Sequence, residues 1–254
     1  MLRAIELVPE LSSQLITAQR LEELRGCRSS GLSALDEVLG GGWPRAALSE
    51  ISGRRTTGRT AVVLAALARA ARAGEAVALV DMGGALDPRA AAAAGLALPR
   101  LLWVRCAVGE ALKAVDLVVS AGGFDVVALD LGDERPRVPT SAWIRLKHGA
   151  ERQGTSVLVA TPARAVGAFA AAAIELSAPT PRFLTDAGPP LLDGARVKVT
   201  CVRRLNRNLE RESERSVASP RGARGDRGTA SGSEPAPRQE GGELCAWLAF
   251  GCRS

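Results

Sequence analysis

The clearest chemical signal in the chain is an eight-residue loop, Gly53-Arg54-Arg55-Thr56-Thr57-Gly58-Arg59-Thr60. Two glycines, then a cation, then a hydroxyl at this spacing can turn backbone N–H groups toward phosphate oxygens. An apolar run, Leu48–Ser52, precedes the loop and a helical pattern follows it. The loop therefore sits at a helix N-terminus, where the dipole favours an anion. In such loops the cation is a lysine, a compact charge that reaches the outer phosphates. Arg59 is longer, planar and forked, so it is not an equivalent. A second element, Phe124-Asp125-Val126-Val127-Ala128-Leu129-Asp130, is an apolar strand ending in a carboxylate that could hold Mg²⁺ directly or through water. Together they read as a vestigial nucleotide site made of Gly53, Gly58, Arg59, Thr60 and Asp130. ATP and Mg²⁺ are its expected ligands, held weakly.

The elements that must position these residues follow from the hydropathy pattern. Strands are expected at Leu48–Ser52, Ala76–Asp81, Leu101–Arg105, Val126–Asp130, Ser156–Ala160, Ile174–Ser177 and Val197–Val202. Helices are expected from about Thr60 to Ala73 and near Asp87–Ala94, Gly109–Ser120 and Thr140–Gln153. Short apolar strands alternating with helices imply an α/β fold, a mostly parallel twisted sheet flanked by helices. Asp87 and Pro88 read as the cap and first position of a helix. Trp43 reads as a packed turn residue, and His148 as exposed.

Outside this core the pattern changes. Residues 1–29 form an N-terminal arm in which Leu11, Leu15, Ala18, Leu21 and Leu24 recur at helical spacing up to Gly26. That helix either packs on its own domain or docks on a neighbour. Residues 30–205 form the core. Residues 206–242, rich in Arg, Glu, Ser, Gly and Pro, read as a disordered linker. Residues 243–254 carry the apolar segment Leu244–Phe250, including Trp247. Two readings stay open for it: a strand returning to the sheet edge, which is the safer, or a docking peptide for another protein. Leu15, Leu21, Leu244, Trp247 and Phe250 are accordingly the candidate partner-binding residues.

Composition narrows the class. The 254 residues are 46% hydrophobic, 24% charged and 3% aromatic, with no tyrosine, so the core must be built from Ala, Val and Leu. The formal charge of +6 is nearly all arginine, and the only lysines are Lys113, Lys147 and Lys198. In the basic run Arg203, Arg204, Arg207, Arg211 and Arg215, the glutamates Glu210, Glu212 and Glu214 interleave; this favours a solvated linker over a DNA contact. The five cysteines contain no C-x-x-C pair and there is one histidine, so no metal site is expected. Their spacing suggests buried thiols in a reducing, cytoplasmic setting. Residues 1–20 do not read as a signal peptide, and no apolar run is long enough to span a membrane.

The motif order resembles the ATPase core of RecA. Ser30-Gly31-Leu32-Ser33-Ala34-Leu35-Asp36 leads into Leu39-Gly40-Gly41-Gly42-Trp43-Pro44-Arg45 and Leu48-Ser49-Glu50-Ile51-Ser52-Gly53. Val80-Asp81-Met82-Gly83-Gly84-Ala85-Leu86-Asp87-Pro88 resembles the D-A-E-x-A-L-D-P stretch, and Leu101–Val104 with Gly109–Leu112 continues the register. The resemblance spans about residues 30–202. It implies three departures: Arg59 stands for the phosphate-loop lysine, Gly83 for the catalytic glutamate, and Pro162 for the glutamine that senses the γ-phosphate. The first DNA-binding loop, after Asp130, and the second, before Ile174, both read as shortened. No catalytic residue is therefore expected, and the chain reads as an inactive ATPase.

Trimmed RecA relatives of this length resemble ImuA, an accessory of DNA-damage-induced mutagenic translesion synthesis. That resemblance implies an adaptor that contacts RecA, an ImuB-like inactive Y-family polymerase and, indirectly, an error-prone C-family polymerase. It allows self-association and indirect DNA contact, with a cytoplasmic location at the nucleoid after damage. The alternatives are a RecA paralogue with residual nucleotide and DNA binding, and a SulA-like inhibitor of cell division.

Overall fold

In the computed structural model, residues 26–107, 109–135, 137–184, 191–204 and 243–249 are described. The order is β1 (Cys27–Arg28), α1 (Ser33–Leu39), β2 (Trp43–Pro44), β3 (Ala47–Gly53), α2 (Arg59–Arg72), β4 (Val77–Asp81), α3 (Pro88–Ala93), β5 (Leu101–Arg105), α4 (Ala111–Ala121), β6 (Val126–Asp130), α5 (Thr140–Gln153), β7 (Ser156–Thr161), β8 (Ala170–Leu184), β9 (Leu191–Arg203) and β10 (Glu243–Ala249). The main sheet runs β10-β9-β8-β3-β7-β6-β4-β5. From β8 to β5 every pairing is parallel. β9 and β10 add antiparallel to β8.

Both faces of the central strands are covered, which is why those strands are apolar throughout rather than alternating. Val77, Leu79, Val126, Ala128 and Leu158 point into one core with Val62, Val63, Ala66 and Leu67 of α2. Their neighbours Ala78, Val80, Val127, Leu129 and Val157 point into the other core with Val115, Val118 and Val119 of α4 and Trp143 and Leu146 of α5. The abundant alanines of α2 let it lie close on the sheet, and its buried positions recur at helical spacing. Trp43 is 1% exposed and packs in the first core, as its sequence context suggested. Asp87 caps α3 by accepting from the Arg89 N–H, with Pro88 at the first position. His148 is exposed.

Several expectations are corrected. The strands read at Ile174–Ser177 and Val197–Val202 are the inner parts of a long hairpin, β8 with β9. Turn residues had hidden its outer half: Ala178 and Pro179 fall where the register shifts between Ser177 and Thr180, so pairing resumes beyond them. Helix α1 and the two-stranded β1–β2 pair were not expected from the sequence at all. A seven-residue helix has too few turns to show a period. Its Gly40 takes a left-handed conformation that ends it. The Glu243–Ala249 backbone lies antiparallel to β9, pairing Leu244 with Val199 and Trp247 with Arg196, so this segment is an edge strand. Phe250 and residues 1–25 and 205–242, Leu15 and Leu21 among them, lie outside the described residues. Of the cysteines whose burial is described, Cys27 is exposed and Cys106 and Cys201 are half-buried. Cys27 lies on β1, opposite Pro44 of β2. Among the described residues no helix is long and apolar enough to cross a membrane.

Candidate functional site

The candidate residues meet at the C-terminal edge of the parallel strands, where open α/β sheets place their ligand crevices. Gly53 ends β3, and a Cβ there would lie 2.5 Å from Thr57 Oγ1. Thr57 N–H and Thr57 Oγ1 both donate to the Arg54 carbonyl, at 3.2 and 2.7 Å. Thr56 has φ 75° and Gly58 φ 88°, so the chain turns through two left-handed residues before α2 begins at Arg59. This is the backbone of a phosphate cradle. A cleft of about 480 Å³ opens beside it, lined by Gly53–Thr57, Pro162, Glu175 and Leu176–Pro179.

Asp130 ends β6, two strands away, with β7 between. The bridge between the two motifs is Arg59. Its side chain is only 6% exposed, and its Nη2 donates to the Gly132 carbonyl at 2.8 Å and lies 3.6 Å from the Asp133 carboxylate. Arg55 Nη1 reaches the same carboxylate at 3.3 Å. Gly132 N–H in turn donates to Asp130 Oδ1 at 2.9 Å. Gly132 and Asp133 were not singled out from sequence. The signal was present as a Gly-Asp pair just past the Asp130 strand, but its partner is more than seventy residues upstream.

Asp130 is 4% exposed, and burial is the largest influence on it, pushing its carboxyl above the ordinary Asp range. The Gly132 N–H and the Arg59 guanidinium oppose that push, while Asp81 and Asp133 add to it. Asp81 is directly opposite Asp130 in the β4–β6 ladder. Its carboxyl accepts from Ala85 N–H (3.1 Å), Leu86 N–H (3.2 Å) and Trp103 Nε1 (3.2 Å), and so holds the turn that carries Gly83. Gly83 Cα faces Gly132 across the crevice with no side chain between, and a Cβ there would lie 3.4 Å from Gly132 Cα.

Mg²⁺–ATP does not fit this donor set. The positive charge beside Asp130 is already supplied by Arg59, one Asp130 oxygen is held by Gly132, and no carboxylate projects at position 83. A divalent ion at Asp130 would lie beside that guanidinium. A neighbouring cleft of about 230 Å³ lies between the loops that follow β6 and β7, lined by Leu131, Arg135, Val138 and Thr161–Ala165. Arg203 and Arg204 face the protein: Arg203 Nη1 donates to the Ala168 carbonyl at 3.1 Å, and Arg204 Nη2 donates to the Val38 carbonyl. The other arginines of that run lie outside the described residues.

The raised Asp130 makes a prediction about pH. The folded protein holds this proton more tightly than the unfolded chain does. Ionising it therefore costs stability as pH rises from the ordinary Asp value through the raised one, and nothing further changes above that. Asp130→Asn should remove this slope. Melting curves from pH 4 to 8 should show the variant gaining on the wild type as pH rises. A constant gap would mean that Asp130 is not the group responsible.

A strand–phosphate-loop–helix unit at the edge of a parallel sheet, joined to an acid-tipped strand, defines a P-loop α/β protein. Within that class, residues 14–135 match the RecA N-terminal domain family. RecA of Nostoc punctiforme is 42% identical over 115 residues, 45% of this chain and 31% of that protein. RecA of Latilactobacillus sakei is 40% identical over 104 residues, 40% of this chain and 29% of that protein. The chain thus matches under a third of the length of these relatives. The crystal structure of the RadB recombinase superimposes with a TM-score of 0.54, at 17% identity, over 69% of this chain and 89% of that one. The fold resemblance therefore extends past residue 135, where the RecA domain match stops.

Proposed function

We propose that this RecA-like protein is a non-catalytic adaptor in DNA-damage-induced mutagenic translesion synthesis. It binds RecA and an ImuB-like inactive polymerase, and through the latter an error-prone C-family polymerase. It acts in the cytoplasm, at the nucleoid after damage. The observation that carries the reading is the state of the crevice. Arg59 is buried and tied to Gly132 and Asp133, and Gly83 puts no carboxylate where the RecA resemblance places the water-polarising glutamate. Phosphoryl transfer is almost entirely the positioning of charges, and each missing part commonly costs orders of magnitude in rate. A scaffold that keeps the fold without those parts is suited to presenting surfaces.

Two measurements on the full chain test this. Phosphate release from ATP, with and without single-stranded DNA, is expected to stay at the background rate. Pull-downs with purified RecA and with an ImuB-like partner are expected to retain the chain, with loss on deleting residues 1–25 or 243–254. DNA-stimulated release would sink the adaptor reading in favour of a working RecA paralogue. Absence of binding to either partner would also count against it.

A further inference from the structure

At the opposite edge of the sheet from the phosphate loop, a cleft of about 240 Å³ lies where β6 and β7 begin and α2 ends. Arg28, Trp43 and Asp125 line it, with Arg69 from the last turn of α2. Arg28 Nη2 pairs with Asp125 Oδ1, and that contact is one-ended. The second oxygen, Asp125 Oδ2, and the Arg28 Nε–H are both buried with no hydrogen-bond partner, and so is the Trp43 Nε1–H. Trp43 and Asp125 are 1% and 8% exposed. Three of the eight such atoms among the described residues thus belong to residues that line this one cleft. Buried polar groups are almost always paired, and an orphan carries the full desolvation penalty of its group.

The orphaned set decides what fits. It holds two donors and one acceptor around an ion pair whose charges cancel. Its complement is a neutral group that accepts twice and donates once. A carboxamide does both: its oxygen has two lone pairs and its NH₂ donates. A carboxylate would confront Asp125 Oδ2, and an ammonium would confront the two donors. Beyond the pair, Arg45 and Glu75 act on Arg28 with opposite sign, and Arg69 is exposed, so water satisfies it. Size points the same way. Pockets for whole small molecules start at about 300 Å³, and one water fills about 30 Å³. The cleft lies between, with room for the end of a side chain. We infer that it is a recognition site for the carboxamide of an Asn or Gln side chain on a partner polypeptide. The oxygen accepts from Arg28 Nε and Trp43 Nε1, and the NH₂ donates to Asp125 Oδ2. Arg28 is the wall that yields to admit it, since its side chain is 24% exposed and its strand, β1, has two residues.

The inference goes beyond the adaptor reading and does not rest on it. Proton–nitrogen NMR of the full chain follows the Trp43 indole N–H, assigned by its loss in Trp43→Phe. The probes are N-acetylglutamine methylamide, its glutamate counterpart and its alanine counterpart. Glutamine should move the resonance downfield, with half-saturation on the order of ten millimolar. Glutamate should bind at least about tenfold more weakly, because it cannot donate to Asp125. Alanine, which keeps only the backbone amides, should leave the resonance in place. Asp125→Asn can keep Oδ1 on Arg28 while putting an NH₂ where Oδ2 stood, so the preference should invert toward glutamate by about tenfold. Glu75→Gln, which removes a charge outside the cleft lining, should stay within about twofold of wild type. No shift with glutamine would overturn the site and leave the three atoms to ordered water. Glutamate binding as well as glutamine to wild type would overturn the amide, and alanine matching glutamine would overturn the side-chain assignment. Equal effects of Asp125→Asn and Glu75→Gln would reduce the preference to net charge. A melting curve confirms that the variants fold, and the wild-type comparison decides even where Asp125→Asn does not. Failure here would leave the pull-down and turnover results untouched.

Discussion

Replacing Glu50 by alanine is expected to destabilise the protein by about 3–5 kcal/mol, the largest single effect in the molecule outside its apolar cores. Glu50 is 0% exposed, in the middle of β3, where its neighbours across the ladders are Val159 and Ala173. Its Oε1 accepts from two successive backbone N–H groups, Ala165 at 2.5 Å and Val166 at 3.0 Å. Arg164 Nε stands 3.9 Å from Oε2. A carboxyl inside a sheet is tolerated only with such partners, and here they all come from the loop that leaves β7. Alanine would strand both N–H groups and leave a void between the face of the sheet and the loop that leaves β7. Glutamine keeps one oxygen acceptor and should lose about half as much. Urea unfolding measures the loss, and hydrogen exchange locates it: amides 163–166 should exchange faster in Glu50→Ala, while those of β6 should not. A loss under about 1 kcal/mol, with unchanged exchange, would show that the loop is held by other contacts.

Arg59→Ala should cost about 2–4 kcal/mol. The substitution removes the hydrogen bond to Gly132, the pairing with Asp133 and the charge that opposes the burial of Asp130. Asp130 would then face Asp81 and Asp133 with the Gly132 N–H as its remaining support. Part of the loss should be recovered in the double variant Arg59→Ala/Asp130→Asn, because the second change removes the stranded charge. Chemical denaturation of the four proteins gives the coupling directly. Strict additivity would mean that Arg59 and Asp130 do not feel each other. Stability of Arg59→Ala equal to wild type would mean that the guanidinium is not seated between the motifs.

The residues that define the fold were legible because their signals are local. An apolar run of five or six residues between polar turns is a strand covered on both faces, and β5 and β6 begin and end where the pattern places them. The eight-residue loop was readable for a related reason: Gly58 is demanded by the loop's own left-handed backbone, whereas Gly53 also answers to the close approach of Leu176 on β8. Two left-handed turns and a following helix need no distant partner. Arg59 could thus be recognised from sequence as a departure, and Gly83 and Pro162 as others through the RecA resemblance.

What those residues do with their side chains was decided only by the tertiary structure. The sequence places a cation at position 59; that its charge faces Gly132 and Asp133 depends on β7 lying between β3 and β6. Glu50 read as one letter of a motif, and its role appears only when the loop after β7 folds back over β3. Asp133 drew no reading in the loop after Asp130, since nothing near it in the chain marks it as the meeting point of Arg55 and Arg59. The fate of Leu244–Ala249 was similarly open, because a seven-residue apolar segment has the same pattern whether it docks on a partner or on β9. Backbone shape is set by short-range sterics and hydropathy period, which a linear sequence displays. Charge pairing is set by distances across strands, which it does not.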